Sequence, residues 1–362
     1  MISISKLISC GIFSVVLMCC SIEMSFAQTF AVDLENPIST SFSFLSSTPN
    51  AGVNAMGEAG TAVINNGALY TNAAAISALP DSFGLALDYK RGAGNLLCLS
   101  VYNQYTSSAL AFGLRYNSLG GSTLITPTGN INQGASNYEL AFDVAGSHSF
   151  SSHFMTAITG KVFYSTISKD MIINGVVIKP SSGIAADISC LYTTTVNGTD
   201  KINIGATISN IGSPQEYGYP GYDYFIPTTL SIGFAYDVLF DDNNQLVFAL
   251  DVNKLIVPTI YNRSESAAYG MLHSFNDAPG GVQEEMHEIT LGAGIDYSYQ
   301  EKVHLRAGYF YEHPSKGGRT YFSLGGGIAI GNGNLDVAYR FYDNTQAIVV
   351  ANALSLTLSV NL

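Results

Sequence analysis

The stretch HEITLGAGIDYSYQEKVHLRAGYFYEHP, residues 287–314, decides how the chain is read. Ile289, Leu291, Ala293, Ile295, Tyr297 and Tyr299 alternate with Glu288, Thr290, Gly292, Gly294, Asp296 and Ser298. After Gln300-Glu301-Lys302 the period resumes. Val303, Leu305, Ala307, Tyr309 and Tyr311 stand against His304, Arg306, Gly308, Phe310 and Glu312. Successive side chains of a strand point to opposite faces, so this is a hairpin with one apolar face and one small, polar or charged face. Aromatic residues gather near the strand ends, as in the interfacial girdle of a membrane barrel. A soluble sandwich alternates too, usually over fewer residues, so the hairpin alone leaves both architectures open.

Composition separates them. Hydrophobic residues make up 47% of the chain and charged residues only 12%, about half the usual charged share. Beyond the first thirty residues no apolar run is long enough for a membrane helix. An apolar chain without such helices fits a lipid-facing barrel, where only half of each strand needs to be apolar. The net charge of −12 argues against a nucleic-acid partner, which calls for basic patches.

Residues 1–27 read as a secretory signal peptide: Lys6, an apolar run from Ile8 to Cys20, and Ser25-Phe26-Ala27 as the cleavage site. Cys19 and Cys20 raise a lipoprotein signal, but Leu17-Met18 fits a lipobox poorly. Of the remaining cysteines, alternation turns Cys98 inward and Cys190 outward, which a disulfide does not bridge. Both read as packing residues rather than reactive thiols. Residues 28–80 lack clean alternation. Asn54 to Gly60 and Tyr70 to Ala75 suggest short helical turns broken by glycine. A soluble linker would be less apolar, so a plug inside the barrel is the preferred reading.

Period-two segments then fill residues 81–362: 82–89, 96–105, 109–117, 137–149, 154–168, 183–194, 201–209, 228–238, 245–253, 285–299, 303–312, 320–330, 335–341 and 352–362. That is about fourteen strands, an even number as closed bacterial barrels require. The connections alternate in length. Short ones lie at 106–108, 150–153, 196–200, 241–244, 300–302 and 332–334; long ones lie at 118–136, 169–182, 210–227 and 255–284. A sandwich has no reason to keep this order, whereas a membrane barrel has short periplasmic turns and long surface loops. The last strand alternates to Leu362, where such barrels commonly end on an aromatic residue. The fold class is all-β: an outer-membrane antiparallel barrel with an N-terminal plug.

The inward face then carries Asp88, Arg115, Glu139, Asp143, Asp187, Asp237, Asp251, Asp296, His304, Arg306, Glu312, Asp336 and Arg340. These predict a polar lumen with acids paired to arginines and plug backbone, in preference to a permeation path. Arg306 is expected to pair with Asp296 or Asp336. No Ser/His/Asp arrangement stands out, although His304, His313, Glu312 and Asp296 lie close in the pattern. No cysteine or histidine spacing suits a metal. Neither catalysis nor a cofactor is expected. Gly325-Gly326-Gly327, inside a strand, predicts close packing or a bulge.

Two connections are unusually apolar for surface loops. Residues 255–284 hold Ile256, Pro258, Ile260, Tyr261, Met271, Phe275 and Pro279; residues 210–227 hold Tyr217, Tyr222 and Phe225. Loops packing on one another over the mouth would explain this. So would a protein-binding surface, where apolar and Tyr anchors concentrate. These ten residues are the candidate partner-binding set.

Several segments carry a family resemblance. Asn54 to Gly60 with Tyr70 to Ala75 resembles the plug region of FadL-type barrels, where Asn-Pro-Ala is commoner than Asn72-Ala73-Ala74. Phe44-Leu45, Ala55 to Gly60, Ile208-Ser209-Asn210-Ile211-Gly212, Leu250 to Thr259, Asp277-Ala278-Pro279-Gly280-Gly281 and Arg306 to Pro314 jointly resemble the PorV (LptO) family of type IX secretion. The resemblance implies a fourteen-strand FadL-like barrel that is not an enzyme. It also implies partners: the translocon (Sov or SprA), the C-terminal signal domains of secreted cargo, and the attachment complex that contains the PorU sortase. Such a protein collects cargo at the translocon and delivers it for attachment. A FadL-type transporter of hydrophobic small molecules is the alternative. It needs an apolar pocket continuous with a lateral opening, where a shuttle needs an exposed loop surface.

Overall fold

A computed structural model describes residues 36–92, 94–121, 136–166, 172–173, 176–177, 180–216, 223–259, 267–342 and 353–362. The signal-peptide reading of residues 1–27 and the first plug residues fall outside them. Fourteen antiparallel strands close a barrel. They are β1 (Phe83–Arg91), β2 (Asn95–Tyr105), β3 (Ser108–Gly121), β4 (Ser136–Ser149), β5 (Phe154–Ser165), β6 (Ser181–Val196), β7 (Asp200–Ile211), β8 (Thr229–Asp241), β9 (Asn244–Leu255), β10 (Ile289–Tyr299), β11 (Val303–Tyr311), β12 (Tyr321–Ile330), β13 (Gly333–Tyr342) and β14 (Ala353–Asn361). Each pairs with its sequence neighbours, and β14 closes on β1 in the register Leu87↔Leu358. Closure leaves no sheet edge, as backbone surrounded by lipid requires.

The faces follow the alternation. Leu85, Leu87, Leu97, Leu99, Phe112, Leu114, Ile158, Val162, Ile184 and Phe234 are exposed on the outer wall. Tyr116, Tyr138 and Tyr164 line up on that wall with centroids 6.0 and 6.3 Å apart, toward the long connections. At the other end His148, Phe150 and Phe154 form a second aromatic row. These rows suit the two interfaces of a bilayer. Cys98 is buried inside and Cys190 lies on the outer face; both are free thiols. Left-handed residues make the short turns: Thr106, the Asn197-Gly198 pair, the Gln300-Glu301 pair and Gly331.

Two expected strands are corrected. Residues 285–299 do not begin as a strand: Val282–His287 is a helix, and β10 starts at Ile289. The Glu285 and Glu284 carboxylates accept backbone N–H bonds from the turn before that helix, which fixes the helix locally. Strand β5 stops at Ser165, short of the expected 168.

The plug fills the lumen. It contains a 3-10 turn (Ser43–Ser46), α1 (Ala51–Ala55), α2 (Ala68–Thr71) and a second 3-10 turn (Ala73–Ala78). Asn50 caps α1 and Asn72 caps the second turn through their side-chain oxygens. The wall is bonded to the plug around its circumference. Ala51 N donates to Thr357 (2.8 Å), Gly57 N to Ser323 (3.1 Å), Gly60 N and Thr61 N to Asp251 (2.9 and 2.8 Å), and Arg115 to Leu45 O (2.8 Å). Wall glycines let backbone touch backbone. A Cβ on Gly308 would collide with Gly57 N and Met56 C, and one on Gly325 would strike Ala55. Pairing of β12 with β13 runs unbroken through Gly325-Gly326-Gly327, so there is no bulge, and Gly325 and Gly327 serve close packing on the lumen side. The lumen charges pair as expected. Arg115 grips both oxygens of Asp143 (3.1 Å each), Lys161 meets Asp187 (2.7 Å), and Arg340 meets Glu58 of the plug (2.9 Å). Arg306 bridges Asp296 (2.8 Å) and Asp336, and His304 meets Asp296 from the other side (3.0 Å).

Candidate functional site

The six turns between β2 and β3, β4 and β5, β6 and β7, β8 and β9, β10 and β11, and β12 and β13 lie at one end, and none exceeds a few residues. The long connections gather at the other end. The longest, between β9 and β10, contains α3 (Ala267–His273) and α4 (Val282–His287). It folds back as a cap on the barrel mouth.

A charge cluster holds the cap down. Lys254, at the end of β9, donates to Glu285 (2.9 Å) and Glu288 (2.6 Å). Lys316, beyond β11, donates to Glu284 (2.6 Å), Glu288 (3.1 Å) and the carbonyl of Asn36 (3.2 Å). Thr259 donates through its backbone N–H to Asp277 (2.9 Å) and through its hydroxyl to Glu288 (2.8 Å). Glu285 also accepts from Asp277 N and Ala278 N, and Glu284 from Gly280 N (2.7 Å). Desolvation disfavours ionised Glu284 and Glu285, yet the lysines and donated N–H bonds hold both carboxyls below the ordinary glutamate range. Partial burial instead raises Asp277. His287 stacks flat on His313 with ring centroids 3.5 Å apart.

With these carboxylates turned inward, the exposed side of the cap carries several large apolar side chains beside His273, Asn276 and Gln283. Tyr269, Leu272, Phe275, Val282 and Met286 are all exposed there, Leu272 by 77% and Val282 by 75%. Hydrophobic exposure on that scale marks interaction sites on soluble surfaces.

The candidate residues divide. Ile256, Pro258 and Phe225 are buried; Phe225 O accepts from Ser41 N (2.9 Å), and Pro258 packs with Phe225 beneath Gly270 of α3. They support the cap rather than form its surface. Met271 is half-buried, and Phe275 and Pro279 are exposed. Ile260, Tyr261, Tyr217 and Tyr222 lie outside the described residues. Sequence reasoning left Leu272 out of the set and missed Val282 and Met286, the last being absorbed into the expected strand. The overlooked signal is a glycine turn followed by paired acids in the first helical turn, a favourable place for negative charge.

Under the cap lies a cavity of about 540 Å³ between the plug and the wall, with Tyr70, Asp251, Asn253, Ser231, His287 and Lys316 among its lining residues. Hydroxyls and charges share this lining with apolar groups.

A closed fourteen-strand barrel with a bonded plug defines the class: a β-barrel with a FadL-like fold. Among solved structures the chain resembles the Pseudomonas putida toluene transporter TodX, with a TM-score of 0.54 at 13% identity over 86% of this chain and 96% of that one. A TodX monoaromatic hydrocarbon channel mutant, deltaS2S3, gives 0.57 at 12% identity over 86% and 99%. A Pseudomonas aeruginosa FadL homologue gives 0.51 at 10% identity over 91% and 100%. At these identities the likeness concerns the fold alone. The sequence model of the family described as type IX secretion system protein PorV matches residues 30–262. The chain belongs to that family and is thereby an outer-membrane component of type IX secretion. Among curated protein sequences none matches it.

Proposed function

We propose that this protein binds the C-terminal signal domain of secreted cargo at the type IX translocon (Sov or SprA) and carries it to the PorU-containing attachment complex. It acts by binding, without catalysis. The observation that carries the reading is the exposed apolar face of α3 and α4, set over a mouth whose charges are internally matched. A few apolar anchors in such a patch can supply most of a binding free energy, on the order of 2 kcal/mol each on truncation. The transporter alternative needs a continuous apolar passage. A plug bonded around its circumference and a mixed polar cavity support binding over passage.

The test replaces Leu272, Phe275, Val282 and Met286 together with Ser. The barrel should insert and run as a folded band, since no strand is touched. Pull-down of cargo C-terminal domains should fall at least tenfold, and cargo should accumulate in the periplasm. Undiminished pull-down and normal secretion by the folded variant would sink the assignment. The reading also requires the cap to face the exterior and Asn243 the periplasm. Single cysteines at Gln283 and Asn243, in a background lacking Cys98 and Cys190, report this: only the first should be labelled on intact cells.

A further inference from the structure

Residues 36–41 form a strap that leads into the plug, and both of its ends are fastened to the cap or to the cap's support. At its start, Asn36 donates through its side-chain amide to both oxygens of Glu284 (3.0 and 3.2 Å), and its carbonyl accepts from Lys316 (3.2 Å). Glu284 belongs to α4, and Lys316 is the cation that holds it (2.6 Å). At the other end, Ser41 donates through its backbone N–H to Phe225 O (2.9 Å) and through its hydroxyl to Tyr224 O (3.2 Å). Phe225 in turn packs with Pro258 beneath Gly270 of α3. The hold changes at the next residue. Phe42 has a left-handed backbone (φ 52°), which a bulky residue adopts only where its surroundings enforce it. Its ring is 1% exposed and lies 4.6 Å from that of Phe163 on β5. Beyond it, Phe44 and Leu45 pack in one cluster with Cys98 of β2, and Leu45 O accepts from Arg115 (2.8 Å).

The chain is thus held by the cap before Phe42 and by the barrel wall after it. Ile38 and Thr40 of the strap share the cavity lining with His287, Glu288 and Lys316 on the cap side. We propose that the strap is a latch: cap and strap open together about a hinge at Phe42, widening the way into the cavity, while the plug beyond the hinge stays seated. Lifting α4 withdraws Glu284, the acceptor of the Asn36 amide. Lifting α3 uncovers Phe225, the acceptor of Ser41. Such a coupling is a free energy shared by two parts and runs both ways, so loosening the strap must also loosen the cap. The latch rests on where the cap sits and not on the partner proposed for it. It is tested without cargo, so either assignment can fail without the other.

The test uses the purified full chain in detergent. One form carries Ser41→Cys with Cys98 and Cys190 replaced by alanine; a second keeps Cys98 and replaces Cys190 alone. A water-soluble maleimide reports each thiol, and limited proteolysis reports residues 267–288. Ser41 is 1% exposed and Cys98 fully buried, so both thiols should react slowly while the latch is shut. Asn36→Ala, at an exposed position outside the cap, removes the amide that binds Glu284. It should speed labelling of Ser41→Cys about fivefold or more, and cleavage within residues 267–288 by a similar factor. Glu284→Gln, made in the cap, should speed labelling of Ser41→Cys in the same way. Cys98 should stay unreactive in both variants. Faster labelling with unchanged cleavage would mean that the strap frays alone. Labelling of Cys98 would mean that the whole plug leaves. Either result overturns the proposal, as does unchanged labelling of Ser41→Cys in both variants.

Discussion

In the plug, Val53, Ala55 and Ala59 are fully buried and Met56 nearly so; in the cap, Leu272, Val282 and Met286 face outward. Both regions are short helical turns laid against the same barrel. Both satisfy their charges internally: Glu58 by Arg340 in the plug, Glu284 and Glu285 by Lys316 and Lys254 in the cap. They differ in what covers their apolar side chains. The plug is enclosed by wall, with glycines admitting its backbone. The cap has nothing over its outer face among the described residues. A region finished on every side is a structural part; the cap, satisfied electrostatically but exposing apolar side chains, is where we propose the binding surface lies.

The largest expected effect comes from breaking the plug side. Gly308→Val places a branched side chain into the backbone of Met56 and Gly57. Overpacking costs about 1–3 kcal/mol where side chains can move; here the obstacle is backbone, which cannot yield, so the loss should exceed that of a broken ion network. The variant is expected to lose most of its folded, heat-modifiable band, or to expose residues 36–80 to protease. A wild-type band with a protected plug would show that the plug is not locked by this contact. Next in size is Arg306→Leu, which leaves Asp296 and Asp336 facing each other inside the lumen. Removing one partner of a buried ion network costs about 3–5 kcal/mol. The temperature at which the folded band is lost should fall markedly; an unchanged midpoint would mean the pairing contributes little.

The two regions also differ in how far the sequence exposed them. The barrel was legible because one rule, alternation, repeats along every strand and is enforced by lipid on one side and plug on the other. Arg306 and its two acids could be placed by parity alone. The plug helices were legible in outline from Asn54 to Gly60. The cap was not. Its surface depends on which way a helix of a few residues turns, and that is set by Lys254 and Lys316, which come from other parts of the chain. Ile256, Pro258 and Phe225 read as apolar loop residues and prove to be its buried support. Glu285 and Met286 fit an alternating pattern as well as a helix, and only the turn bonded by Glu284 and Glu285 distinguishes the two.

A smaller effect is expected from loosening the cap. Lys316→Met removes the cation shared by Glu284 and Glu288 and keeps the aliphatic stem. Leaving Glu284 without its cation, while Glu288 keeps Lys254 (2.6 Å), should cost the cap about 1–3 kcal/mol. Cleavage within residues 267–288 should accelerate at least fivefold in limited proteolysis, with the barrel's thermal midpoint unchanged. Equal cleavage rates would show that the cluster does not hold the cap, and a shifted barrel midpoint would show that cap and wall are one cooperative unit.

The smallest expected effect is the pH dependence of that closure, and its sign is fixed by the directions of the shifts. Glu284 and Glu285 are held below the ordinary glutamate value of 4.5 in the folded cap. Their contribution is therefore fully present above about pH 4.5, where the opened cap would also be ionised, and is lost as pH falls through the folded values. Asp277 is raised above its ordinary 3.8, so its ionisation slightly opposes closure, and protonating it on acidification works the other way. Two lowered carboxyls against one raised one leave a net loss of cap stability in acid. Protease sensitivity of residues 267–288 should be flat from pH 8 to about pH 5 and rise below it, while the plug stays protected. In Lys316→Met one source of the depression is gone, so the rise should be smaller and level off at a higher pH, with its onset unchanged. A wild-type cap equally resistant at pH 3.5 and pH 7 would mean that contacts other than the carboxylate cluster keep it shut.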